Sequence, residues 1–143
     1  MSGEGGRAGP LLTSSDNVLV EELVGHPVDE PLSGAVQASF ASSASARRLA
    51  DPEQARRLVR GMGSVPAIRM RWLTAGRERQ DQLVPALAAR KGAPENSMEV
   101  RLPACVLLDA VGAAMERWAW QDEPEDMAEL TRRALHYLRI DEL

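Results

Sequence analysis

Apolar residues recur at intervals of three and four along most of the chain, which is the spacing of one face of an α-helix. Two clear examples are the stripes Leu32, Val36, Phe40 and Val65, Ile68, Trp72, Ala75. No segment alternates apolar and polar residues with a period of two, and β-branched residues do not cluster as they would in strands. The pattern therefore predicts an all-α fold.

Proline, glycine and helix-capping residues divide this pattern into about six helices. An acidic residue next to proline stands at the start of three of them, where the fixed φ of proline suits the first helical turn. Glycine is expected to end several helices because it readily adopts the left-handed conformation of a C-cap. The predicted helical segments are 14–25, 29–49, 51–63, 64–92, 97–121 and 123–140. Pro85 removes a backbone donor and is expected to bend or interrupt the fourth of them.

The segment 97–121 is apolar on nearly every side. Across residues 102–115 its only charged residue is Asp109, and a helix of this kind must be covered nearly all round. Trp118 and Trp120 lie about 200° apart around the helix axis. One tryptophan is therefore expected to meet the core of the chain, and the other a partner.

A tryptophan that meets a partner chain predicts a homodimer. In this dimer the last two helices of each chain form an intersubunit four-helix bundle. The last helix supplies an apolar stripe of its own to this bundle. The candidate interface residues are Met115, Trp118, Trp120, Met127, Leu130, Ala134, Leu135 and Leu138. The alternative is a large monomeric core that covers the same residues.

Composition narrows the class of protein. The length of 143 residues is that of one domain, and the formal net charge of −4 argues against a chain that holds a nucleic acid backbone by itself. A single cysteine excludes an internal disulfide and fits a reducing compartment. No stretch has the length and apolarity of a signal peptide or a membrane span. We therefore predict a cytoplasmic protein with no membrane partner.

Two longer stretches carry a resemblance. They are ARRLVRGMGSVPAIRMRWL at 55–73 and LLDAVGAAMERWAWQDEPEDMAELTRRALHYL at 107–138. An Ala-rich helix that ends in ERWA, a short acidic break and a closing ELTRRAL-like helix resemble the C-terminal half of TetR-family transcriptional regulators. The order and spacing of these features agree over about residues 14–140. The resemblance implies a helical domain with a small-molecule pocket and a dimer interface formed by the last two helices.

The resemblance also implies a helix-turn-helix domain ahead of this region. Residues 1–12, MSGEGGRAGPLL, contain no recognition helix and no basic face. We expect residues 1–13 to form a disordered tail and residues 14–143 to form the ligand-binding and dimerisation domain. Two explanations are open: the protein works as a truncated effector-binding dimer, or the true gene start or frame lies upstream. The Gly, Arg, Ala and Pro content of residues 2–10 favours the second explanation slightly.

The resemblance implies an effector pocket between the segments 29–49, 64–92 and 97–121. Flexible methionines and flat aromatic rings suit a small apolar effector, although residues at helical spacing are also those of an ordinary core. The candidate lining residues are Phe40, Met62, Met70, Trp72, Val106, Asp109 and Ala113.

Asp109 is the residue whose role is least fixed by the pattern. A carboxylate among apolar neighbours is costly unless it is paired or solvated. Asp109 could orient a ligand in the pocket, or it could form a salt bridge or hydrogen bond within the fold or across the dimer. The sequence leaves both interpretations open.

No arrangement of residues predicts catalysis. Cys105 has no histidine within helical reach and is expected to be an inert buried thiol. His26 and His136 have no metal-type spacing to another ligand, and no cofactor motif is present. Together with the resemblance, this predicts a non-enzymatic regulator domain of the repressor type that binds itself, or a full-length relative, and a small apolar effector. Operator DNA would be a partner only if a helix-turn-helix domain were supplied. The alternative is a stand-alone helical ligand-binding or protein-interaction module outside transcription.

Overall fold

The computed structural model describes residues 23–41 and 51–143, with the backbone alone at residues 39–41. The helices are α1 (Leu32–Ala41), α2 (Pro52–Ser64), α3 (Pro66–Lys91), α4 (Met98–Trp120) and α5 (Met127–Tyr137), followed by a short 3₁₀ helix (Ile140–Glu142). Every regular element within these ranges is helical, which confirms the all-α prediction. The predicted tail 1–13 and most of the predicted helix 14–25 lie outside the described residues; residues 23–25 are helical.

Local sequence signals set several helix ends as predicted. The Asp51 carboxylate accepts a hydrogen bond from the backbone N–H of Gln54 at 3.1 Å, and Pro52 occupies the first turn of α2. Gly92 ends α3 in the left-handed conformation, with φ of +61°. The last helix begins later than the acid-proline pair suggested, because Asp126 is its N-cap and accepts from the backbone N–H of Glu129.

Pro85 does not interrupt its helix. It lies inside α3, which continues to Lys91, so of the two predicted effects, a bend or an interruption, the interruption is wrong. Proline removes one hydrogen bond, and tertiary packing can offset that loss. Here the residues around it supply this packing: the buried side chains of α3 are Leu83, Val84, Ala86 and Leu87.

The first described helix is capped from the far end of the chain. Its first residue is Leu32, one position after Pro31 of the acid–proline pair Glu30-Pro31, which favours a start at the proline. The Asp141 carboxylate accepts hydrogen bonds from the backbone N–H of Ser33 at 2.9 Å and from its hydroxyl at 2.5 Å. The neighbouring Ile140 is buried in the main core. The C-terminal 3₁₀ helix therefore holds the N-terminal end of α1 through a contact that no local pattern indicates.

Helix α4 is the centre of the fold, with contacts to α2, α3 and α5. Its first half packs into the main hydrophobic cluster, whose larger members are Leu23, Val36, Leu83, Leu87, Val100, Leu107, Leu135 and Ile140. Two smaller clusters surround its C-terminal end: Ala114, Trp118, Met127 and Leu130 form one, and Val59, Met62 and Ala119 form the other.

Apolar periodicity predicted the face of α3 less well. The stripe that begins with Val65 and Ile68 is exposed at both of these residues, and Trp72 and Ala75 are half-buried. All the fully buried residues of α3 lie beyond residue 82. A period of 3.6 identifies an apolar face, but it does not show which part of that face another element covers.

Candidate functional site

Within the described residues, 23–41 and 51–143, one side of α4 packs against other helices and the opposite side does not. Trp118 is 6% exposed, whereas Trp120 is 67% exposed. The side chains exposed around Trp120 form what we call the outward face of α4: Leu102, Asp109, Ala113, Glu116 and Trp120. The expectation that the two tryptophans point to different environments is therefore met within the chain: Trp118 points inward and Trp120 outward.

The predicted interface residues divide in the same way. Those buried in the chain's own clusters are Trp118, Met127, Leu130 and Leu135, and those half-buried against them are Met115 and Ala134. Trp120 and Leu138 remain exposed. The buried group has little side-chain surface left for a partner, because α5 turns these residues onto α4 of the same chain. The dimer stays a prediction, and Trp120 and Leu138 are the two predicted residues with surface to offer.

Asp109 lies on the outward face and is exposed. The Cys105 thiol donates a hydrogen bond to its Oδ2 at 3.6 Å. Partial burial, with the Asp109 charge as a further cause, raises the pKa of the Cys105 thiol. Cys105 is half-buried rather than fully buried, and the raised pKa favours the protonated thiol, which lowers its reactivity at neutral pH.

Two arginines of α2 hold the C-terminal end of α4. The guanidinium of Arg56, which is 7% exposed, donates to the carbonyl oxygens of Trp118 at 3.1 Å, Ala119 at 3.4 Å and Gln121. Arg60 donates to the same Ala119 carbonyl at 2.9 Å. Carbonyls at a helix end have no intrahelical partners and carry partial negative charge, so two cations there satisfy both needs.

Glu53 keeps the two arginines in place. Its carboxylate pairs with Arg56 at 2.9 Å and with Arg60 at 3.1 Å. The hydrogen bond from Arg60 lowers the pKa of Glu53, and the charge of Arg56 acts in the same direction. A lowered pKa in the folded state means that these ion pairs stabilise the fold at neutral pH. Their contribution is lost as the pH falls through that lowered pKa.

We expect Arg56→Met to lower the free energy of unfolding by about 2–3 kcal/mol, because buried carbonyls at the end of α4 lose their donor. Urea denaturation at a fixed protein concentration measures this change. Arg57→Met is the matched control, since the Arg57 side chain is 73% exposed and lies 3.8 Å from Glu53. The control should change stability by less than about 0.5 kcal/mol. Equal effects of the two substitutions would contradict a capping role for Arg56.

A cleft of about 270 Å³ opens beside this end of α4. Its lining residues come from three helices: Val59, Gly63 and Ser64 of α2, Arg69 and Trp72 of α3, and Glu116 and Trp120 of α4. The Ser64 hydroxyl donates to the backbone carbonyl of Arg60 at 3.1 Å, so its donor is used within α2. The two charged residues that line the cleft are Arg69 and Glu116.

The cleft shares only Trp72 with the pocket predicted from the sequence. Met62 is buried in one of the small clusters, and Met70 is exposed. The side chain of Phe40 lies outside the described residues. Helical spacing indicated which residues are apolar, but it did not show that the cleft would form beside α2.

The α4 members of the predicted pocket also lie away from the cleft. Val106 packs partly against the main core, while Asp109 and Ala113 are exposed on the outward face. Arg69 and Glu116 line the cleft but are not among the lining residues predicted from the sequence. Each lies three or four positions before a tryptophan that lines the cleft, so a charged residue and an indole share one helix face. That spacing is the signal that could have found them.

Comparison with known protein families supports the architecture. The profile described as the MftR C-terminal domain, a TetR-type C-terminal domain, matches residues 30–141. The chain belongs to this family. The match extends from just before α1 into the C-terminal 3₁₀ helix, so it includes α1 to α5. No curated protein shows a significant match to the sequence.

The TetR C-terminal family is a family of regulatory domains. The matched profile describes a C-terminal domain, which is the part of a family member that follows its DNA-binding domain. In the part of the chain that the structure describes, no helix has both the length and the apolar content needed to cross a membrane.

Proposed function

We propose that this chain is the effector-binding and dimerisation domain of a TetR-like transcriptional regulator, of the repressor type, that acts in the cytoplasm. The observation that carries the proposal is the outward face of α4, where Trp120 stays exposed two residues from a fully packed Trp118. The family match supports it, because the domain is a regulatory one. Exposed indoles are typical of residues that anchor a protein interface.

Charge supports one arrangement of the dimer over another. Asp109 and Glu116 place two carboxylates on the outward face of α4, whereas the exposed arginines of α5, Arg132 and Arg133, already form ion pairs with Glu129 and Glu125. A two-fold dimer that packs α4 of one chain against α5 of its partner keeps the carboxylates of the two outward faces apart. An antiparallel α4–α4 crossing centred between Gly112 and Ala113 would place Asp109 opposite Glu116, and like charges would repel. We therefore propose α4–α5 contacts between the two chains.

An effector bound in the cleft would affect the proposed dimer interface. Glu116 and Trp120 belong both to the cleft and to the outward face of α4. A ligand that contacts these two side chains changes the surface presented to the partner, and so it has a route to shift the dimer between conformations. Because the cleft and the outward face share these residues, ligand binding in the cleft would regulate the conformation of the dimer.

In this proposal, DNA is recognised by a domain other than the one described here. A chain with a formal net charge of −4 is poorly suited to holding a phosphate backbone. Operator DNA would be bound by a helix-turn-helix domain, either one joined to this domain or one contributed by a full-length relative in a mixed dimer. The partners proposed are therefore a second copy, such a relative and a small effector.

The single cysteine allows the proposed interface to be tested directly. Cys105 lies beside the outward face of α4, in contact with Asp109. We expect the rate of Cys105 alkylation by a maleimide to fall as protein concentration rises, because the partner chain covers this face in the dimer. A Trp120→Asp variant should react at a rate that does not depend on concentration. A concentration-independent rate in a protein that is shown to be dimeric would place the interface elsewhere.

A further inference from the structure

The cleft beside the end of α4 presents two opposite charges that the fold does not use. Arg69 comes from α3 and Glu116 from α4, and both are exposed residues that line the cleft. Among the residues with described side chains, neither forms an ion pair or a side-chain hydrogen bond. Other arginines of the same region, such as Arg56 and Arg60, are fully engaged with carbonyls and with Glu53. A cation and an anion left unpaired in one cleft can each receive a charged group from a ligand.

The apolar walls of the cleft suit a flat ring. Trp72 and Trp120 come from different helices and both line it. Aromatic rings pack against indoles in offset or edge-to-face arrangements at short centroid distances. Gly63 leaves the α2 side open, since a Cβ at that position would meet no atom within 4 Å.

The size of the cleft limits the ligand to a small molecule. A cavity of about 150 Å³ suffices for benzene, and drug-sized ligands occupy pockets of about 300–1,000 Å³. The volume of about 270 Å³ therefore has room for one aromatic ring and a short charged chain. A larger ligand would extend into solvent.

We propose that the cleft binds a small aromatic zwitterion of the amino-acid type. Its carboxylate would pair with the guanidinium of Arg69, its ammonium group would pair with the carboxylate of Glu116, and its ring would lie against Trp72 and Trp120. The assignment rests on the proposed function, because such a molecule would be the effector of the domain. It specifies the chemistry that the site recognises: two opposite charges on one ring-bearing molecule.

Four probes separate the parts of this recognition. L-phenylalanine carries the ring and both charges, 3-phenylpropionate the ring and the anion, 2-phenylethylamine the ring and the cation, and glycine both charges without a ring. Protein tryptophan fluorescence reports binding, because none of the probes contains an indole. We expect L-phenylalanine to bind with a Kd on the order of 1 mM. It should bind about three- to fivefold more tightly than either singly charged probe, and glycine should not bind detectably.

Substitutions assign each charge to its partner. Arg69→Met should remove the preference for L-phenylalanine over 2-phenylethylamine, and Glu116→Gln should remove its preference over 3-phenylpropionate. Gly63→Leu should weaken L-phenylalanine binding by roughly tenfold or more, because the new side chain occupies the cleft. Gly61→Leu is the matched control: it has the same gain in helix propensity, and open space around its Cβ, but it does not line the cleft.

The results that overturn this assignment differ from those that overturn the proposed function. Equal binding of all three ring-bearing probes, no binding of any probe, or equal effects of Gly63→Leu and Gly61→Leu would each contradict an aromatic-zwitterion site. None of these results bears on whether the chain forms a dimer. A chain that stays monomeric contradicts the proposed function, whatever the cleft binds.

Discussion

Replacing Trp118 with aspartate is expected to leave the chain unfolded at room temperature. The indole is 6% exposed and packs with Ala114, Met127 and Leu130, so it joins α4 to α5. Removing a buried tryptophan side chain alone costs about 3–5 kcal/mol, and an unpaired buried carboxylate adds to that cost. A domain of this size has a total stability of about 5–15 kcal/mol. Far-ultraviolet circular dichroism should show the loss of most helical signal.

The conservative variant Trp118→Phe is the control for this substitution. Phenylalanine keeps an aromatic ring in the cluster and introduces no charge, so the chain should fold with a lowered midpoint of thermal unfolding. If Trp118→Asp unfolded at the same temperature as the unmodified chain, the indole would not be part of the core. The packing of α5 onto α4 within one chain would then be wrong.

The same substitution two residues further along is expected to have the opposite outcome. Trp120→Asp should leave the fold intact, because the side chain is 67% exposed, and it should separate the dimer. A central indole at an interface commonly contributes 2 kcal/mol or more, about a thirtyfold weaker Kd when it is lost. The added carboxylate also lies near Glu116 and increases the negative charge of the outward face. Size-exclusion chromatography with light scattering measures the change in mass.

Two controls make this result specific to the interface. Circular dichroism should show unchanged helical content for Trp120→Asp, in contrast to Trp118→Asp. Tyr137→Asp changes another highly exposed aromatic residue, on α5 rather than α4, and tests whether that side chain also contacts the partner. If Trp120→Asp remained fully dimeric at low micromolar concentration, Trp120 would not anchor the interface.

Much of the helical framework could be predicted because its signals are local. The carboxylate of Asp51 next to Pro52 marks the start of α2, and Gly92 marks the end of α3. The two-residue offset between Trp118 and Trp120 on a helix of known pitch is enough to separate an inward from an outward indole. These features depend on backbone geometry within a few residues, which a single sequence displays directly.

The contacts that join distant parts of the chain could not be predicted in this way. The Asp141 carboxylate caps α1 at a separation of 108 residues. The guanidinium of Arg56 is buried against carbonyls 62 residues away. Arg56 is buried and the adjacent Arg57 is exposed, and nothing in the local sequence distinguishes them. Such pairings depend on which helix faces meet, and helical periodicity does not determine that.

The candidate pocket shows the same limit. Met70 and Trp72 were both expected to line it, yet only Trp72 faces the cleft while Met70 is exposed. Asp109 was expected to be enclosed because its helix is apolar on nearly every side, but the described residues, 23–41 and 51–143, cover only one side of α4. Helix α4 therefore carries more apolar residues than the described part of the chain buries. That excess is what the proposed dimer explains.

The most direct test of this explanation is sedimentation equilibrium of the unmodified chain at micromolar concentration. One chain has a mass of 15.6 kDa. A mass of twice this value, falling to that of one chain upon dilution or in Trp120→Asp, is the result that we predict. A single species of 15.6 kDa across the whole concentration range would contradict the account, because the outward face of α4 would then be a solvent-exposed surface with no partner chain.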